Sequence, residues 1–306
     1  MVAVTSLNAW LLAAPPVVKT VPWVPTNPTI PHDTFDGRQI TLKGNCDASG
    51  LGGNYDWDFG DGGAQATGIV GNQYIIEATH TYSGALGTVF TAHLTVTNPG
   101  TGESATKDYL VKMQAKALPV EVNVAIDEGL WFLHKSQNRY SAGGLDYGDW
   151  MNTGTDGGWT TKGYSSLTAE NLCAFEITGH KAHVVGPGGV LQPASPDDPY
   201  TEDVQRGLNS VFAMLSSGPL TTFTGIAMEY NPDTGLYDKS HDGNGNGLEA
   251  WVDQGYPWYQ GGMFMDAIET REGSEMHIDT FRRSGAGSGR NHRTTMAVNG
   301  STRAWR

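Results

Sequence analysis

The alternation of hydrophobic and polar residues divides the chain into two parts. In the runs RQITLKGNC, TVFTAHLTVT and KDYLVKM, apolar residues recur at about every second position, and clusters of Gly, Asp, Asn and Ser separate the runs. A period of two is typical of strands with one buried face, and short strands joined by such turns predict an antiparallel β-sandwich. We therefore predict an all-β domain over residues 34–114.

Beyond residue 118, the apolar residues recur at helical spacing instead. In two segments they share one helical face: Val122, Ile126, Leu130 and Leu133 in the first, and Val204, Leu208, Val211 and Leu215 in the second. A stripe of this kind predicts helices whose apolar faces are buried. We expect these helices over residues 126–137 and 204–216, with Trp131 and Phe132 as packing residues.

The two predicted helices also match each other in sequence. The pattern IDEGL at residues 126–130 corresponds to VQRGL at residues 204–208. Each helix is followed, after a glycine-rich connection, by a second apolar helix candidate, at residues 169–179 and 262–273. An internal repeat of this kind indicates stacked pairs of helices. The pattern therefore predicts a mainly α domain of α-hairpin repeats over residues 119–281.

Two flanking segments differ in composition from these domains. Six prolines between residues 15 and 32 predict an extended linker or wrapping arm, which we assign to residues 1–33. Residues 282–306 are rich in Arg, Gly, Ser and Thr and contain no acidic residue, so we expect a disordered basic tail. The stretch LNAWLLAAPP resembles the core of a signal peptide but lacks a basic segment before it, which leaves N-terminal processing open.

Net charge and cysteine content narrow the range of partners. The formal net charge of −13 repels phosphate backbones and anionic membranes, so we expect no nucleic-acid partner. No apolar run approaches the length that spans a bilayer, so we predict no transmembrane segment. Cys46 and Cys173 lack the spacing of metal ligands, and each is expected to be a small buried hydrophobe.

The segment DGNGNGLEAWVD, residues 242–253, has the ligand spacing of an EF-hand-type calcium loop. The ligands at that spacing are the side chains of Asp242, Asn244, Asn246 and Asp253 and the backbone carbonyl of Leu248. Oxygen ligands of these types suit calcium, and the three glycines let the backbone curl around an ion. The alternative interpretation is a flexible turn without a metal, because short motifs of this kind also occur by chance.

Candidate catalytic residues have to be sought outside the usual hydrolase motifs, because no G-x-S-x-G, H-E-x-x-H or H-x-H-x-D pattern occurs. His241 directly precedes the predicted calcium loop, and a histidine there can accept a proton at neutral pH. Glu249, within the loop, and Asp266, on the last predicted helix, are further candidates. For Asp266, as for Glu176 and Glu269, a solvated surface position is the alternative.

The sequence HKAH, residues 180–183, has an i, i+3 spacing that could place two histidines on one metal. It follows a predicted helix end and precedes the glycine-rich sequence GPGG. Histidines in such connections are commonly solvated, and we expect that outcome here.

The first domain contains the sequence YDWDFGDGG at residues 55–63, followed by HTYSGALGTVFTAHLTVTN. This signature and its order resemble the PKD domain. Trp57 and Phe59 alternate along one strand and are predicted to point into the sandwich core, while Asp58 and the turn from Gly60 to Gly62 reverse the chain through hydrogen bonds from side chains to the backbone. The alternative for the acidic residues is that they hold calcium. The resemblance implies an exported protein and contact with a cell surface or a polysaccharide.

The second domain resembles the repeats of the α/α toroid found in squalene cyclases and prenyltransferases. The shared features are A-I-x-x-G-L-x-x-L, then D-G-G-W, then an Ala-rich helix. Two repeats imply a partial toroid or an open stack of helix pairs. Terpene chemistry is not implied, because no D-x-D-D motif occurs and Cys173 has no zinc-ligand partners at the expected spacing.

The combination of both domains resembles calcium-dependent lactonases of N-acyl-homoserine lactones known from metagenomes and their bacterial relatives. The resemblance implies a calcium-dependent hydrolase that opens the lactone ring, which is quorum quenching, with a small ester or lactone as substrate. The alternative from the residues is an exported, non-catalytic binding or structural module in which calcium stabilises a long loop. Loss of turnover in a folded Asp242→Ala protein separates the two hypotheses.

Overall fold

The computed structural model of the chain describes residues 15–47, 52–150, 165–185, 191–193, 195–219, 229–231, 236–238, 248–252, 263–264 and 267. The chain divides into two compact units. Unit 1 extends to Lys135 and includes Asp197–Pro199, and unit 2 comprises Ser136–Pro196 and the chain from Tyr200 onward. Among the described residues, no helix combines the length and the apolar character that a membrane crossing requires.

Unit 1 contains a β-sandwich of eight strands. The strands are β1 (Val18–Thr20), β2 (His32–Thr34), β3 (Gln39–Cys46), β4 (Asn54–Asp58), β5 (Ala66–Ile69), β6 (Ile76–Thr81), β7 (Val89–Thr97) and β8 (Ser104–Met113). One sheet has the order β1-β3-β6 and the other β2-β8-β7-β4-β5. All neighbours are antiparallel except β2 and β8, which are parallel. The predicted β-sandwich is therefore confirmed.

The sandwich core is formed by the inward-facing residues of both sheets. Trp57 and Phe59 are buried in it, as predicted from their alternation in the sequence, and Cys46 is buried there as well. Leu94 of β7 lies opposite Trp57 in the strand pairing and is also fully buried. Large side chains at alternating positions account for most of the apolar area that the sandwich removes from water.

The predicted proline-rich arm contributes two strands to the sandwich. β1 pairs with the end of β3, and β2 pairs with the end of β8. β1 lies between Pro16 and Pro22, and β2 directly follows Pro31, so neither strand contains a proline and their backbone N–H groups are free to join a ladder. In its described part, from residue 15 onward, the arm therefore wraps onto the sandwich instead of linking it loosely to another segment.

The turn after β4 is held by side-chain oxygens. Asp58 Oδ1 accepts a hydrogen bond from the backbone N–H of Gly60 at 2.9 Å, and Asp61 Oδ1 accepts one from Gly63 at 2.9 Å. Gly60 and Gly62 have φ angles of 72° and 77°. This is the left-handed region that favours glycine. The predicted structural role of these aspartates is confirmed.

Helix α1 (Leu118–Ser136) belongs to unit 1 as far as Lys135 and packs on its sandwich. The face of the helix that is buried differs from the predicted face. Leu130 is buried as predicted, but Val122 and Ile126 are 45% and 39% exposed. The buried positions are Val124, Asp127, Leu130, Trp131 and His134. The predicted apolar face is wrong here because the sheet surface beneath α1 is polar, so charged side chains of the helix become buried.

The two aromatic residues assigned to packing on α1 differ in environment. Trp131 is 1% exposed, which confirms its predicted role. Phe132 is 66% exposed, and its predicted packing role is wrong within the part of the chain that the structure describes. Neighbouring helical positions point about 100° apart, so only one of the two can face the sheet.

In its described residues, unit 2 contains two further complete helices and four small pairs of strands. Its elements are β9 (Asn138–Ala142), β10 (Leu145–Asp149), α2 (Ser165–Ile177), β11 (His183–Val185), β12 (Leu191–Pro193), α3 (Pro199–Ala213), β13 (Leu215–Pro219), β14 (Glu229–Asn231), β15 (Leu236–Asp238) and β16 (Leu248–Val252). β9 pairs with β10, β11 with β12, β13 with β16 and β14 with β15. Among these elements α2 and α3 correspond to predicted helices, and residues 263, 264 and 267, within the predicted helix 262–273, are also helical.

Helix α3 buries the predicted apolar face. Val204, Leu208 and Val211 are each at most 2% exposed. The helix ends at Ala213, so Leu215 lies in β13 and the predicted helix end at residue 216 is wrong. A Cβ atom built on Gly207 would lie 2.5 Å from Leu172 Cδ2, so α2 and α3 approach closely at this glycine.

Candidate functional site

The predicted calcium loop, residues 242–253, follows β15 in the chain and includes β16. β15 ends at Asp238 and β16 begins at Leu248, and Leu248 and Glu249 pair with Pro219 and Gly218 of β13. The remaining predicted ligands and catalytic residues lie outside the described residues: His241, Asp242, Asn244, Asn246, Asp253 and Asp266. The calcium ligands and the proposed bases therefore stay predictions.

The second half of the predicted loop includes a strand, because loop positions seven to eleven form β16. The donor chemistry of the loop nevertheless fits calcium, since its ligands are carboxylate, amide and carbonyl oxygens. Within the described residues, no group of three or more His, Cys, Asp and Glu side chains is arranged to hold a metal.

Two ionisable side chains are buried at the C-terminal end of α2. Glu176 lies on the last turn and His180 three residues beyond the helix, and each is 2% exposed. The ring of His180 is 4.8 Å from that of Tyr200, in an edge-to-face arrangement. The expectation of solvated positions is therefore wrong for Glu176 and His180. His183, in contrast, is only half-buried, at the start of β11.

A group of charged side chains between α1 and the sandwich, three buried and one partly exposed, was not anticipated from the sequence. It consists of His32 on β2, Lys43 on β3, and Asp127 and Glu128 on α1, and we refer to it as the docking cluster. Lys43 is completely buried, although lysine rarely is unless paired. The cluster joins helix and sheets through charge, beside the apolar packing of Val124 of α1 in the sandwich core.

The Lys43 ammonium has three oxygen partners, one for each of its N–H groups. Its Nζ atom donates to Thr41 O at 2.8 Å, to Asp127 Oδ2 at 2.5 Å and to Glu128 Oε1 at 3.3 Å. A buried charge is tolerated only when it is paired and fully hydrogen-bonded. The arrangement therefore describes a stable ion pair between a protonated amine and ionised carboxylates.

Asp127 is held in its ionised form. Burial by itself raises the pKa of this carboxyl, but the Lys43 ammonium and the His32 ring outweigh burial and hold its pKa well below the ordinary value. Asp127 Oδ1 lies 3.3 Å from His32 Nδ1, and the other oxygen faces Lys43. One carboxylate oxygen thus faces the Lys43 ammonium and the other faces the His32 ring.

Glu128 extends the docking cluster to the edge of β3. Its Oε1 accepts a hydrogen bond from the Thr41 backbone N–H and its Oε2 accepts one from Thr41 Oγ1, both at 2.8 Å. β1 covers only the end of β3, from Gly44 to Cys46. The helix therefore satisfies a backbone donor that lies beyond the end of the neighbouring strand.

A second set of contacts fixes the C-terminal half of α1. Trp131 Nε1 donates to Glu77 Oε2 at 2.5 Å, and Lys135 Nζ lies 3.0 Å from the same oxygen. His134 Nε2 lies 2.7 Å from the carbonyl oxygen of Tyr74 and must donate to it, since a carbonyl only accepts. Glu77 lies opposite Lys43 in the pairing of β3 with β6, so one sheet face carries both sets of contacts.

The outer face of the five-stranded sheet is polar and carries a shallow groove. The groove has a volume of about 390 Å³ and is lined by Asn54, Tyr55, Asp56, Thr67, Gly68, Ile69, Thr95 and Thr97. Pairs of hydroxyl groups cross the neighbouring strands, with Thr95 Oγ1 2.8 Å from Thr106 Oγ1. The groove lining combines the polar side chains of Asn54, Asp56 and three threonines with the apolar surface of Tyr55 and Ile69.

Among known structures, one similar to part of the chain can be described. It is the PKD domain of an M14-like peptidase from Thermoplasmatales archaeon SCGC AB-540-F20, with 17% sequence identity and a TM-score of 0.23, and the match covers 33% of this chain and 94% of that domain. No protein-family model matches the chain, and no curated protein does. The assignment of a β-sandwich rests on the strand pairing of unit 1 itself.

Proposed function

We propose that the chain is an exported, non-catalytic structural or binding module. The observation that carries this proposal is the docking cluster, in which Lys43, Asp127 and Glu128 attach α1 to the sandwich. These buried charges are used to hold one another and the Thr41 backbone, not to present a reactive group. A sandwich joined firmly to the following helix suits a rigid spacer.

The polar groove on β4, β5 and β7 supports a binding role for this module. Its Asn, Thr and Asp side chains can exchange hydrogen bonds with the hydroxyl groups of a polysaccharide. The net charge of −13 disfavours nucleic acids and anionic membranes as partners. We therefore propose a polysaccharide or cell-surface partner for the sandwich.

Calcium has a structural role in this proposal. Asp242, Asn244, Asn246, Asp253 and the carbonyl of Leu248 would hold the ion, and bound calcium would supply positive charge that stabilises the loop between β15 and β16. Removal of the metal would then lower the melting temperature through the loss of ligand binding to the folded state.

A second candidate function, calcium-dependent opening of N-acyl-homoserine lactone rings, is favoured by the burial of Glu176 and His180 in unit 2. Ionisable groups in buried surroundings are typical of catalytic sites. In this proposal the helical repeats, as a partial toroid, supply an apolar pocket for the acyl chain. His241 would accept a proton from the attacking water, with Glu249 and Asp266 as further candidate bases.

Calorimetric titration of calcium into chelator-treated protein, beside an assay of lactone-ring opening, separates the two functions. For the module we expect calcium binding that raises the melting temperature and no calcium-dependent turnover. Asp242→Ala should abolish binding, whereas Glu103→Ala, an exposed acidic residue far from the loop in sequence, should leave it intact. Turnover that requires calcium and disappears in folded Asp242→Ala would overturn the module proposal in favour of the lactonase.

A further inference from the structure

The side of α1 that faces away from the sandwich carries an apolar stripe. Its large exposed side chains are Leu118, Val122, Ile126 and Phe132, and we refer to these four residues as the outer stripe. At about 100° per residue, they fall within a sector of about 120° around the helix axis, opposite the buried face. Single apolar residues at a surface are ordinary, whereas a continuous apolar patch marks a surface that another element covers.

The distribution of charge on α1 supports the same conclusion. The helix turns the charged side chain of Asp127 towards the sheet, while Ala125, which is exposed within the sector of the outer stripe, is apolar as well. A helix whose outer face met only water would carry its polar residues there. The outer stripe therefore has the composition of a packing surface.

The first fourteen residues of the chain, MVAVTSLNAWLLAA, have a composition that suits this surface. Eleven of the fourteen are apolar, and none is charged. Leu7, Trp10, Leu11 and Ala14 recur at i, i+3, i+4 and i+7, which predicts a short helix with one apolar face. Ser6 stands at the position of an N-cap, and two prolines follow the segment, where a helix would end. These fourteen residues lie outside the described part of the chain.

The described chain begins close to the C-terminal end of α1. Val18 of β1 lies opposite Cys46 of β3, whose backbone N–H donates to the carbonyl oxygen of Gln73 at 2.9 Å. The next residue, Tyr74, accepts a hydrogen bond from His134 in the last turn of α1. β1 is therefore about two strand spacings, or about 10 Å, across the sheet from the residues that this turn contacts.

The incoming chain also reaches the correct face of the sheet. The Val18 side chain belongs to the sandwich core, and the Val17 carbonyl accepts a hydrogen bond from the Asp47 N–H at 3.0 Å, which continues the pairing with β3. Because side chains alternate along a strand, Val17 points to the opposite face, which also carries Lys43 and α1. An apolar segment that arrives on this face can pass directly onto the helix.

We propose that residues 1–14 fold back as a short helix that covers the outer stripe of α1. A helix over residues 7–14 is about 12 Å long, and the stripe from Val122 to Phe132 is about 15 Å long. Because the segment is tethered beside α1, its effective concentration there exceeds that of a second copy, and the net charge of −13 opposes contact between copies. The stretch that resembles a signal-peptide core is then part of the folded protein.

The test uses methyl NMR of the full-length protein, after its intact mass has shown whether residues 1–14 are present. Nuclear Overhauser effects should connect the methyl groups of Leu7 and Leu11 to those of Val122 and Ile126. Their absence, or the removal of residues 1–14 from the purified protein, would overturn the proposal. A mixture of two differently labelled samples identifies contacts between molecules. Effects seen only between molecules would also overturn it, in favour of a second copy on the stripe.

Two matched variants test the face of the segment that docks. Leu11→Asp places a charge against the stripe, so the effects that connect Leu7 to Val122 and Ile126 should disappear. Leu12→Asp is the control, because position 12 lies about 150° from the centre of the predicted apolar face and should leave those effects intact. An equal loss in both variants would contradict docking through this face. The effects in the wild-type protein decide the proposal if either variant proves insoluble.

Discussion

Lys43 and Asp127 are 84 residues apart in the chain, and Lys43 Nζ lies 2.5 Å from Asp127 Oδ2 in a buried ion pair. This single contact connects the middle of β3 to the middle of α1. It also explains how a helix with charged residues on its inner face can pack on a sheet. The contribution of this ion pair to the free energy of unfolding can therefore be measured directly.

We predict that Lys43→Met lowers the free energy of unfolding by about 3–5 kcal/mol, because it leaves buried carboxylates without their cation. The double variant Lys43→Met, Asp127→Leu should recover much of the loss, since it removes both charges. Denaturant unfolding measures both values. Lys107→Met, which breaks an exposed pair with Asp197, should cost no more than about 1 kcal/mol. Equal losses in Lys43→Met and Lys107→Met would show that the buried pair is unimportant.

The second prediction concerns acid. The pKa of Asp127 is lowered in the folded protein, so its contribution to stability is complete above the unfolded pKa of about 3.9 and is lost as pH falls through the folded pKa. The free energy of unfolding of the wild-type protein should therefore decline below about pH 4 more steeply than that of Asp127→Asn. Denaturant titrations between pH 2 and pH 6 test this. Parallel slopes for the two proteins would contradict it, and Asp197→Asn serves as an exposed control.

The third prediction separates two glycines of the turn after β4. A Cβ atom on Gly60 would lie 2.0 Å from the backbone oxygen of Thr91, whereas a Cβ atom on Gly62 meets nothing within 4 Å. Both have positive φ angles, so Gly62→Ala should cost about 1 kcal/mol from backbone strain alone. Gly60→Ala should cost about 2–4 kcal/mol, because a backbone atom cannot move aside easily. Similar melting temperatures for the two variants would refute the close approach.

The sandwich was predictable because the residues that determine its strands and turns are close together in the sequence. The alternation around Trp57 and the glycine and aspartate residues of the following turn determine which side chains face inward, and both features are confirmed. The burial of Val204 and Leu208 on α3 was predictable for the same reason. In each case an apolar face meets an apolar partner.

The docking cluster could not be predicted in this way, because its residues are far apart in sequence. Lys43 looks like a polar residue on the outer face of a strand, and Asp127 and Glu128 look like the solvated side of an amphipathic helix. Their pairing depends on where α1 lies on the sheet. The available local signal was the sequence IDEGLW, which places a tryptophan beside two acidic residues, and a tryptophan usually needs burial with a partner for its N–H group.

The last prediction tests whether the repeated patterns IDEGL and VQRGL serve equivalent roles. In α1, a Cβ atom on Gly129 would meet nothing within 4 Å, whereas in α3 a Cβ atom on Gly207 would lie 2.5 Å from Leu172 Cδ2. Gly129→Ala should therefore stabilise its helix by about 0.5–1 kcal/mol, the usual gain over glycine in a helix. Gly207→Ala should instead destabilise the protein by about 1–2 kcal/mol through overpacking against α2.

Thermal unfolding followed by circular dichroism shows whether each variant raises or lowers the melting temperature. Replacing Leu172 by alanine together with Gly207→Ala should relieve the overpacking relative to the sum of the single variants, since the two residues are in contact. If both glycine variants raise the melting temperature alike, the two glycines are equivalent, and the matching sequences reflect a structural repeat after all. Opposite signs would show that one sequence pattern serves two different kinds of packing, on a polar sheet in unit 1 and between helices in unit 2.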